Sequence, residues 1–469
     1  MPAPNTAVAF DLLRVATSSA ASTRDEPREP LALDVTDWSA VLWLGRRHGV
    51  LLHLLAMLER SPLVRVPADI MDSLRQHRYN EALARLARFR EMLAIQKALS
   101  ADGISAIAIG SWALSQAHYQ VPELRAIGHH DRLLVKPADR TRAEACLRPL
   151  GYAFGPIDPL ELQPHTRPRL RLTENDRVWE RCDSLDSGPL HFLVPSAVDW
   201  LLFITARFGR PNRANTLEHA FDVVSLLRSG ADIGWDVLRA TATGRREQLR
   251  AVAGTAASYD LLGHPRPGPI EALCHGSARV RRAVRHLVDS CADRPITEHP
   301  ARARPVVPIR PDEYGSLGRF AATPRIVADR MLALAGVELG DVVYDLGCGD
   351  GRIVVRAAQL YGARGVGIDR DPQRIHEAEE LARAEGVGHL VTFRQHELLD
   401  TALEDASVVC LYLQGFAYAR LEHWLRRQLR SGTRIVSHHL AFPDWVPTKT
   451  AIVSSEGARG SFVYVWVVP

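Results

Sequence analysis

The residues Tyr344-Asp345-Leu346-Gly347-Cys348-Gly349-Asp350-Gly351 combine glycines and carboxylates at a spacing that can hold a small ligand. They follow the short apolar strand Val342-Val343, and a helical pattern opens at Arg352. A second strand ends at Gly365-Val366-Gly367-Ile368-Asp369. A strand, a glycine turn, a helix and an acidic residue about 20 positions on make a nucleotide-binding βαβ unit. Glycines let backbone N–H groups approach a ligand, and the Asp369 carboxylate can accept from both hydroxyls of a ribose. The spacing is G-x-G-x-G, with Arg352 where a dinucleotide fingerprint places its third glycine. Asp345 and Asp350 would repel a pyrophosphate but suit a sulfonium that also carries an amino group. S-adenosyl-L-methionine therefore fits better than NAD, and the expected chemistry is methyl transfer.

The elements that must position this loop are legible around it. Strands and helices alternate from about residue 312 to Leu440, followed by two β-rich runs, Thr450–Ser454 and Ser461–Val467. The expectation is an α/β fold, a Rossmann-like seven-stranded sheet at the C-terminus preceded by a mostly helical α+β region. In such a sheet ligands meet the carboxyl ends of the strands. Tyr412 and His438 follow the fourth and fifth strands there, so each is a candidate catalytic residue lining an acceptor pocket, or a buried and satisfied aromatic. Asp350 has a bland reading too, as a cap on the helix that opens at Arg352.

Upstream, apolar residues recur at helical spacing from Asp37 to about Leu99, and again from Pro195 to about Leu287. Between them lies an α/β stretch, with strands at Ala106–Ile109 and Leu133–Val135 and a Gly110-Ser111 turn after the first. Ala292–Pro311 holds five prolines without helical periodicity and reads as a linker. The expected layout is a flexible arm over 1–30, an N-terminal domain over 31–290, a Pro-rich linker over 291–311 and a C-terminal domain over 312–469.

Composition narrows the function classes. The chain has 469 residues, long enough for two or three domains. No stretch approaches the roughly 20 apolar residues of a membrane span, and the N-terminus lacks a basic region followed by an apolar core. The six cysteines are scattered with no C-x-x-C pair, which argues against zinc and disulfides and for a cytoplasmic location. All but three of the 58 basic residues are arginines, interleaved with acids and nowhere in a long block. A nucleic-acid partner is not expected from that pattern. Oligomeric state is not readable from the sequence.

The C-terminal residues, from about 312 to 469, resemble class I S-adenosylmethionine-dependent methyltransferases, and most closely the small proteins akin to the lysine methyltransferase of the ATP synthase c-ring protein. The carrying residues are Thr323-Pro324, Met331-Leu332, the run Asp345–Arg352, Gly367-Ile368-Asp369, Tyr412-Leu413 and the segment 437–445. The resemblance implies a cofactor site formed by Thr323, Asp345, Gly347, Cys348, Gly349, Gly351, Asp369, Arg370 and Glu397. Asp345 would sit behind the ammonium, Asp369 would take the ribose hydroxyls, and Glu397 would accept from the adenine amino group. No metal is implied.

Residues from about 35 to 270 resemble an uncharacterised nucleotidyltransferase family of the polymerase-β type. The match rests on Trp38, His48-Gly49-Val50, Ile109-Gly110-Ser111, Arg125-x-x-Gly128, Asp131-x-Leu133-Leu134-Val135, Gly151-Tyr152, Leu190-His191 and His219-x-x-Asp222. Nucleotidyl transfer in that fold needs a D-x-D pair and a third carboxylate to hold two Mg²⁺ ions. Here the first aspartate is replaced in His129-His130-Asp131, and Pro189 stands where the third is expected, unless Asp183 or Asp186 substitutes. The expectation is an inactive domain kept to recruit a peptide or protein substrate. The fusion of the two modules resembles lasso-peptide C-terminal carboxyl methyltransferases, so carboxyl O-methylation of a ribosomal peptide is the leading expectation. Lysine N-methylation and an active nucleotidyltransferase are the alternatives.

Overall fold

The computed structural model describes residues 6–21, 37–60, 64–127, 132–150, 160–161, 177–206, 216–230, 233, 238, 245–291, 322–413, 415–442, 445–453 and 461–469. Two sheets organise them. The C-terminal sheet has seven strands: β6 (Val342–Leu346), β7 (Arg364–Asp369), β8 (Val391–Gln395), β9 (Val408–Leu411), β10 (Arg434–His438), β11 (Lys449–Val453) and β12 (Ser461–Val467). Their order is β11-β12-β10-β9-β6-β7-β8. The strands from β6 to β10 pair in parallel, and β12 runs antiparallel to both β10 and β11.

Strands buried on both faces must be apolar on both, and the parallel β6 and the antiparallel β12 each send alternate residues to the two faces. Phe462, Tyr464 and Trp466 of β12 join one apolar cluster, while Val463 and Val465 join the other. Likewise Val342, Tyr344 and Leu346 of β6 face the first cluster and Val343 the second. Behind the second face lie the helices Arg325–Ala335 and Arg352–Tyr361, whose residues Val327, Met331, Ile353 and Val354 are buried there.

The N-terminal sheet is smaller, with five strands in the order β3-β2-β1-β5-β4. They are β1 (Ala106–Ile109), β2 (Arg132–Val135), β3 (Leu160–Glu161), β4 (Asp183–Ser187) and β5 (Leu190–Val194). The helices of this region are α1 (Thr6–Ala21), α2 (Trp38–His48), α3 (Leu51–Arg60), α4 (Ala68–Ala101) and, after β1, α5 (Ser111–His118); α4 and α5 pack on the sheet, while α1, α2 and α3 pack on one another. The helices Ala197–Thr205, Leu217–Arg228, Arg245–Leu262, Gly268–Gly276 and Ala278–Cys291 continue the bundle.

The flexible arm expected over residues 1–30 is corrected by α1, because Leu12, Leu13 and Ala16 are fully buried against the bundle. Alanine, serine and threonine flank these few apolar positions and hide a helical stripe. Three hydroxyls donate to carbonyls, Thr17 Oγ1 to Leu13 O at 2.7 Å, Ser18 Oγ to Leu262 O at 2.6 Å and Ser19 Oγ to Val15 O at 2.8 Å. The proline-rich stretch after Cys291, up to residue 321, lies outside the described residues, as do Gly128, His129, His130, Asp131 and Gly151-Tyr152.

One apolar cluster runs without a break from α1 and α2 through the N-terminal sheet to β12 of the C-terminal sheet. The two modules share this cluster, while the second cluster lies within the C-terminal module alone.

Candidate functional site

The strand β6 delivers Asp345 into the interior and then turns through glycines with positive φ, Gly347 at 83°, Gly349 at 53° and Gly351 at 75°. Side chains could not follow that path without strain. Space also forbids them: a Cβ at Gly351 would lie 2.6 Å from the Phe393 ring and 2.7 Å from Ala378 Cβ. At Gly347 it would meet Leu413 Cδ2 at 2.7 Å.

Three backbone N–H groups at the start of this turn are committed. Gly347 N and Cys348 N both donate to Ile368 O, at 2.8 and 2.9 Å. Gly349 N donates to Asp369 Oδ2 at 2.9 Å. The sequence suggested that these N–H groups approach the ligand, and the structure corrects this, since all three tie β6 to the end of β7. A pyrophosphate needs such groups as donors. With them spent, the loop is unsuited to a phosphate ligand and open to a ligand read by carboxylates.

Three carboxylates converge there. Asp345 is 3% exposed, and no side chain among the described residues offers it a hydrogen bond or a cation. Burial pushes its carboxyl up to about 8, with the charges of Asp369 and then Asp350 adding to the shift. Burial on this scale is costly for an unpaired carboxylate, and a bound cation would reverse the cost. Asp369 accepts from Gly349 N and, through Oδ1, from Asp371 N at 3.0 Å. Each of its oxygens keeps a second lone pair for a ligand hydroxyl. Asp350 is taken up by Arg352, whose Nε donates to it at 2.9 Å, and it accepts from Arg352 N at 3.4 Å. The capping reading of Asp350 is corrected: the N-cap is Gly351, without a side-chain cap, and Asp350 is engaged by the Arg352 guanidinium instead.

Cys348 is buried, and burial pushes its thiol well above the ordinary range, so it stays protonated. Arg370 and Glu397 are exposed on the segments after β7 and β8. Beside Glu397, His396 donates its backbone N–H to Asp369 O at 3.0 Å, which brings the β8 end against the β7 end.

Thr323, Tyr412 and His438 come together on the far side of β6. Thr323 Oγ1 lies 3.3 Å from His438 Nδ1, and Thr323 O accepts from Arg352 Nη1 at 3.0 Å. The rings of Tyr412 and His438 are 4.2 Å apart, and His438 stacks on His439 at 4.4 Å. His438 is 1% exposed, and burial lowers its imidazole to about 3, with the neighbouring His439 adding to the shift. Its Nε2 is buried with no hydrogen-bond partner among the described residues. His438 is thus a neutral imidazole with an unused nitrogen, beside a phenol that burial pushes up.

The sequence offers His439, beside Tyr412 and His438, as a candidate base for a lysine but does not announce its backbone: it is the only non-glycine residue with positive φ among the described residues, at 64°. Its N–H donates to Phe462 O at 2.6 Å, so the turn after β10 is fastened to β12. A histidine in the left-handed region carries strain, which often marks a site.

In the N-terminal sheet, Pro189 lies in the Gly188-Pro189 turn between β4 and β5. Asp186 faces His191 across these strands, and the two side chains form an exposed ion pair. Asp183 carries an upward shift from burial and from Asp199. Among the described residues no three His, Cys, Asp or Glu side chains are placed to hold a metal. Arg125 and Asp222 form a buried pair, Nε to Oδ1 at 2.9 Å and Nη2 to Oδ2 at 3.2 Å, which Tyr119 and Glu218 complete.

Residues 345–449 match the family described as the ANTKMT methyltransferase domain, and residues 34–259 match an uncharacterised nucleotidyltransferase family. A protein-lysine N-methyltransferase of Saccharolobus islandicus (strain REY15A) is 34% identical over 32% of this chain and 92% of its own length. The adenine nucleotide translocase lysine N-methyltransferase of Mus musculus is 31% identical over 29% of this chain, which spans 58% of that relative. Among solved structures, an RNA methyltransferase of Salinibacter ruber in complex with S-adenosyl-L-homocysteine is 46% identical over 32% of this chain and 94% of that one, with a TM-score of 0.30. The carboxylate trio at the glycine turn and the matched domain lead to one identification: through its C-terminal region this chain belongs to the ANTKMT methyltransferase family, and it is an S-adenosyl-L-methionine-dependent enzyme.

Proposed function

We propose that the chain methylates a lysine amine of a peptide or protein, and that the N-terminal nucleotidyltransferase-like domain recruits that acceptor. The observation that carries the methyl-donor part is the buried Asp345 carboxylate, which shares its turn with two other acids and has no cation beside it among the described residues. Asp345 would receive the cofactor's ammonium, and Asp369 its ribose hydroxyls. Glu397 would receive the adenine amino group, and Arg370 would flank the ribose. Gly347, Cys348, Gly349 and Gly351 shape the turn, and Thr323 closes it through the Arg352 contact. When bound, S-adenosyl-L-methionine supplies an electrophilic methyl group on a sulfonium. The task left to the protein is to place the acceptor and exclude water.

Two observations support an amine acceptor. Tyr412, Thr323 and the neutral His438 frame the acceptor side, and none of them offers a positive charge to hold a carboxylate. The related proteins of Saccharolobus islandicus and Mus musculus also act on lysine by name. With its imidazole lowered to about 3, His438 is too weak a base to carry a proton at neutral pH. Its free Nε2 instead accepts an N–H of the amine and orients the lone pair, while the buried surroundings disfavour the ammonium form.

A second reading keeps C-terminal carboxyl O-methylation of a ribosomal, lasso-type peptide. One observation favours it: an ionised carboxylate needs no base, and His438 is not a strong one. The two readings separate in one experiment. Full-length protein and S-adenosyl-L-methionine should add about 14 Da, one CH₂ per turnover, to an acceptor peptide. A product that survives mild base and disappears when lysine is replaced by arginine supports the amine. A product that mild base hydrolyses, and that terminal amidation abolishes, supports the ester.

We divide the chain into a recruiting domain over 31–290, extended at its start by α1, a linker over 291–311 and a methyltransferase domain over 312–469. The shared apolar core supports a fixed relation between the two working parts.

A further inference from the structure

The N-terminal module touches the C-terminal sheet at β11 and β12. Ser39 Oγ of α2 accepts from Thr450 N at 3.4 Å. The Arg46 guanidinium, also on α2, lies 4.7 Å above the centre of the Phe462 ring. His77 of α4 meets the same phenylalanine edge-on, with ring centres 5.8 Å apart and planes at 74°. Phe462 is 2% exposed and His77 is buried, while Arg46 is exposed, so the cation covers the ring from the solvent side.

Phe462 is also the residue whose carbonyl holds His439 in its left-handed turn, at 2.6 Å. The turn has two further fastenings, Leu440 N to His438 O at 2.8 Å and Ser437 Oγ to Leu440 O at 2.6 Å. His439 stacks on His438, and His438 on Tyr412. A continuous series of contacts therefore runs from α2 to the acceptor side of the methyltransferase site.

We propose that Arg46 is a positioning residue for methyl transfer, which fixes the strained His438-His439 turn through the ring and carbonyl of Phe462. The cation pins the ring, the ring fixes the β12 backbone, and that backbone determines where the two imidazoles stand. The nucleotidyltransferase-like module thus completes the acceptor side of the neighbouring site, beyond any part in recruiting the acceptor. The proposal rests on the methyltransferase reading for its catalytic consequence and on geometry alone for the coupling.

The test compares wild type, Arg46→Ala and Arg46→Lys in the full-length chain. The first readout needs no catalysis: ¹⁵N-histidine NMR, with the His438 and His439 signals assigned from His→Asn variants. Arg46→Ala should shift both imidazoles and leave the affinity for S-adenosyl-L-methionine unchanged. Its kcat should fall about tenfold, within the range that a small misplacement of reacting groups costs. KM for the acceptor should change less, and Arg46→Lys, which keeps a cation at the ring, should recover most of the loss. Unmoved imidazole signals in Arg46→Ala would overturn the proposal, and so would shifted signals with unaltered kcat. If Arg46→Ala does not fold, Phe462→Leu takes its place with the same readouts. Shifted imidazoles in a protein whose wild type transfers no methyl group would uphold the coupling and sink the proposed function instead.

Discussion

Two corners of this molecule are built alike and hold their charges differently. In the N-terminal sheet, the buried strand β1 ends at Gly110, with φ 142°, and α5 opens at Ser111. In the C-terminal sheet, the buried strand β6 ends at Gly347, and a helix opens at Arg352 after three glycines with positive φ. Beyond the first corner, at the far end of α5, the buried charges are compensated. Arg125 meets both Asp222 and Glu218, and Tyr119 donates to Asp222. Around the second they are not: among the described residues, Asp345 faces two further carboxylates and no cation. A buried charge with partners holds a fold together, and one without partners stores a cost that a ligand of opposite charge can relieve. The strand–glycine–helix corner offers a place for a ligand, and the surrounding charges determine whether that place is a site.

The strongest break of this contrast comes at Asp369. Asp369→Ala removes the acceptor for Gly349 N and the expected acceptor for the ribose. Hydrogen bonds to a charged group are worth about 1.5–3 kcal/mol each, so cofactor affinity should fall by roughly two orders of magnitude or more. Titration calorimetry with S-adenosyl-L-homocysteine measures this directly. Full retention of affinity would remove Asp369 from the site.

In the compensated region the same kind of change should strike stability instead. Asp222→Ala leaves Arg125 buried with only Glu218, and breaking a buried pair costs about 3–5 kcal/mol. Denaturant unfolding should show a loss of that order, while cofactor affinity of the folded protein stays as in wild type. A stable variant with weakened cofactor binding would mean that the two regions had been assigned the wrong way round.

Asp345 sharpens the comparison through pH. Its carboxyl is raised from 3.8 to about 8 in the free fold, mainly by burial, with Asp369 and Asp350 adding to the shift. Between these values the folded chain keeps a proton that the unfolded chain has released. This group's contribution to stability therefore declines as pH rises from about 4 to about 8. A cofactor ammonium favours the ionised form, so binding at pH 7 should expel a proton. Calorimetric enthalpies should then depend on the ionisation enthalpy of the buffer, and Asp345→Asn should abolish that dependence and weaken binding about tenfold, the cost of ~1.4 kcal/mol. Buffer-independent enthalpies in the wild type would contradict the role given to Asp345.

Much of the C-terminal site was legible because it is local. The glycine turn, the helix opening at Arg352 and Asp369 at the end of β7 all follow from a βαβ unit whose parts are neighbours in sequence. The seven-stranded sheet was legible for the same reason. What escaped depends on pairing between distant segments. The use of the turn's N–H groups by Ile368 and Asp369 follows from the register of β6 on β7. The left-handed His439 has no glycine to announce it, since it is held by Phe462 from another strand. Compensation of Arg125 by Glu218 and Asp222 joins residues from two ends of the N-terminal domain. The helix α1 was missed for a different reason: its buried stripe is short and lies among alanine, serine and threonine.

The mildest prediction concerns the Asp186–His191 pair at the edge of the N-terminal sheet. In the expected nucleotidyltransferase arrangement, a carboxylate in this hairpin would help hold Mg²⁺. Here Pro189 occupies the turn, and Asp186 spends its charge on the His191 ring. Both side chains are about two-thirds exposed, at 64% and 66%, and exposed ion pairs contribute about 0–1 kcal/mol. Asp186→Ala should therefore change stability by less than about 1 kcal/mol and leave methyl transfer unaltered. The full-length protein with Mg²⁺ and labelled nucleotide should transfer no label, and the variant should behave the same. Label incorporation that disappears in Asp186→Ala would show that this carboxylate still serves a metal, and the N-terminal corner would then be a second active site.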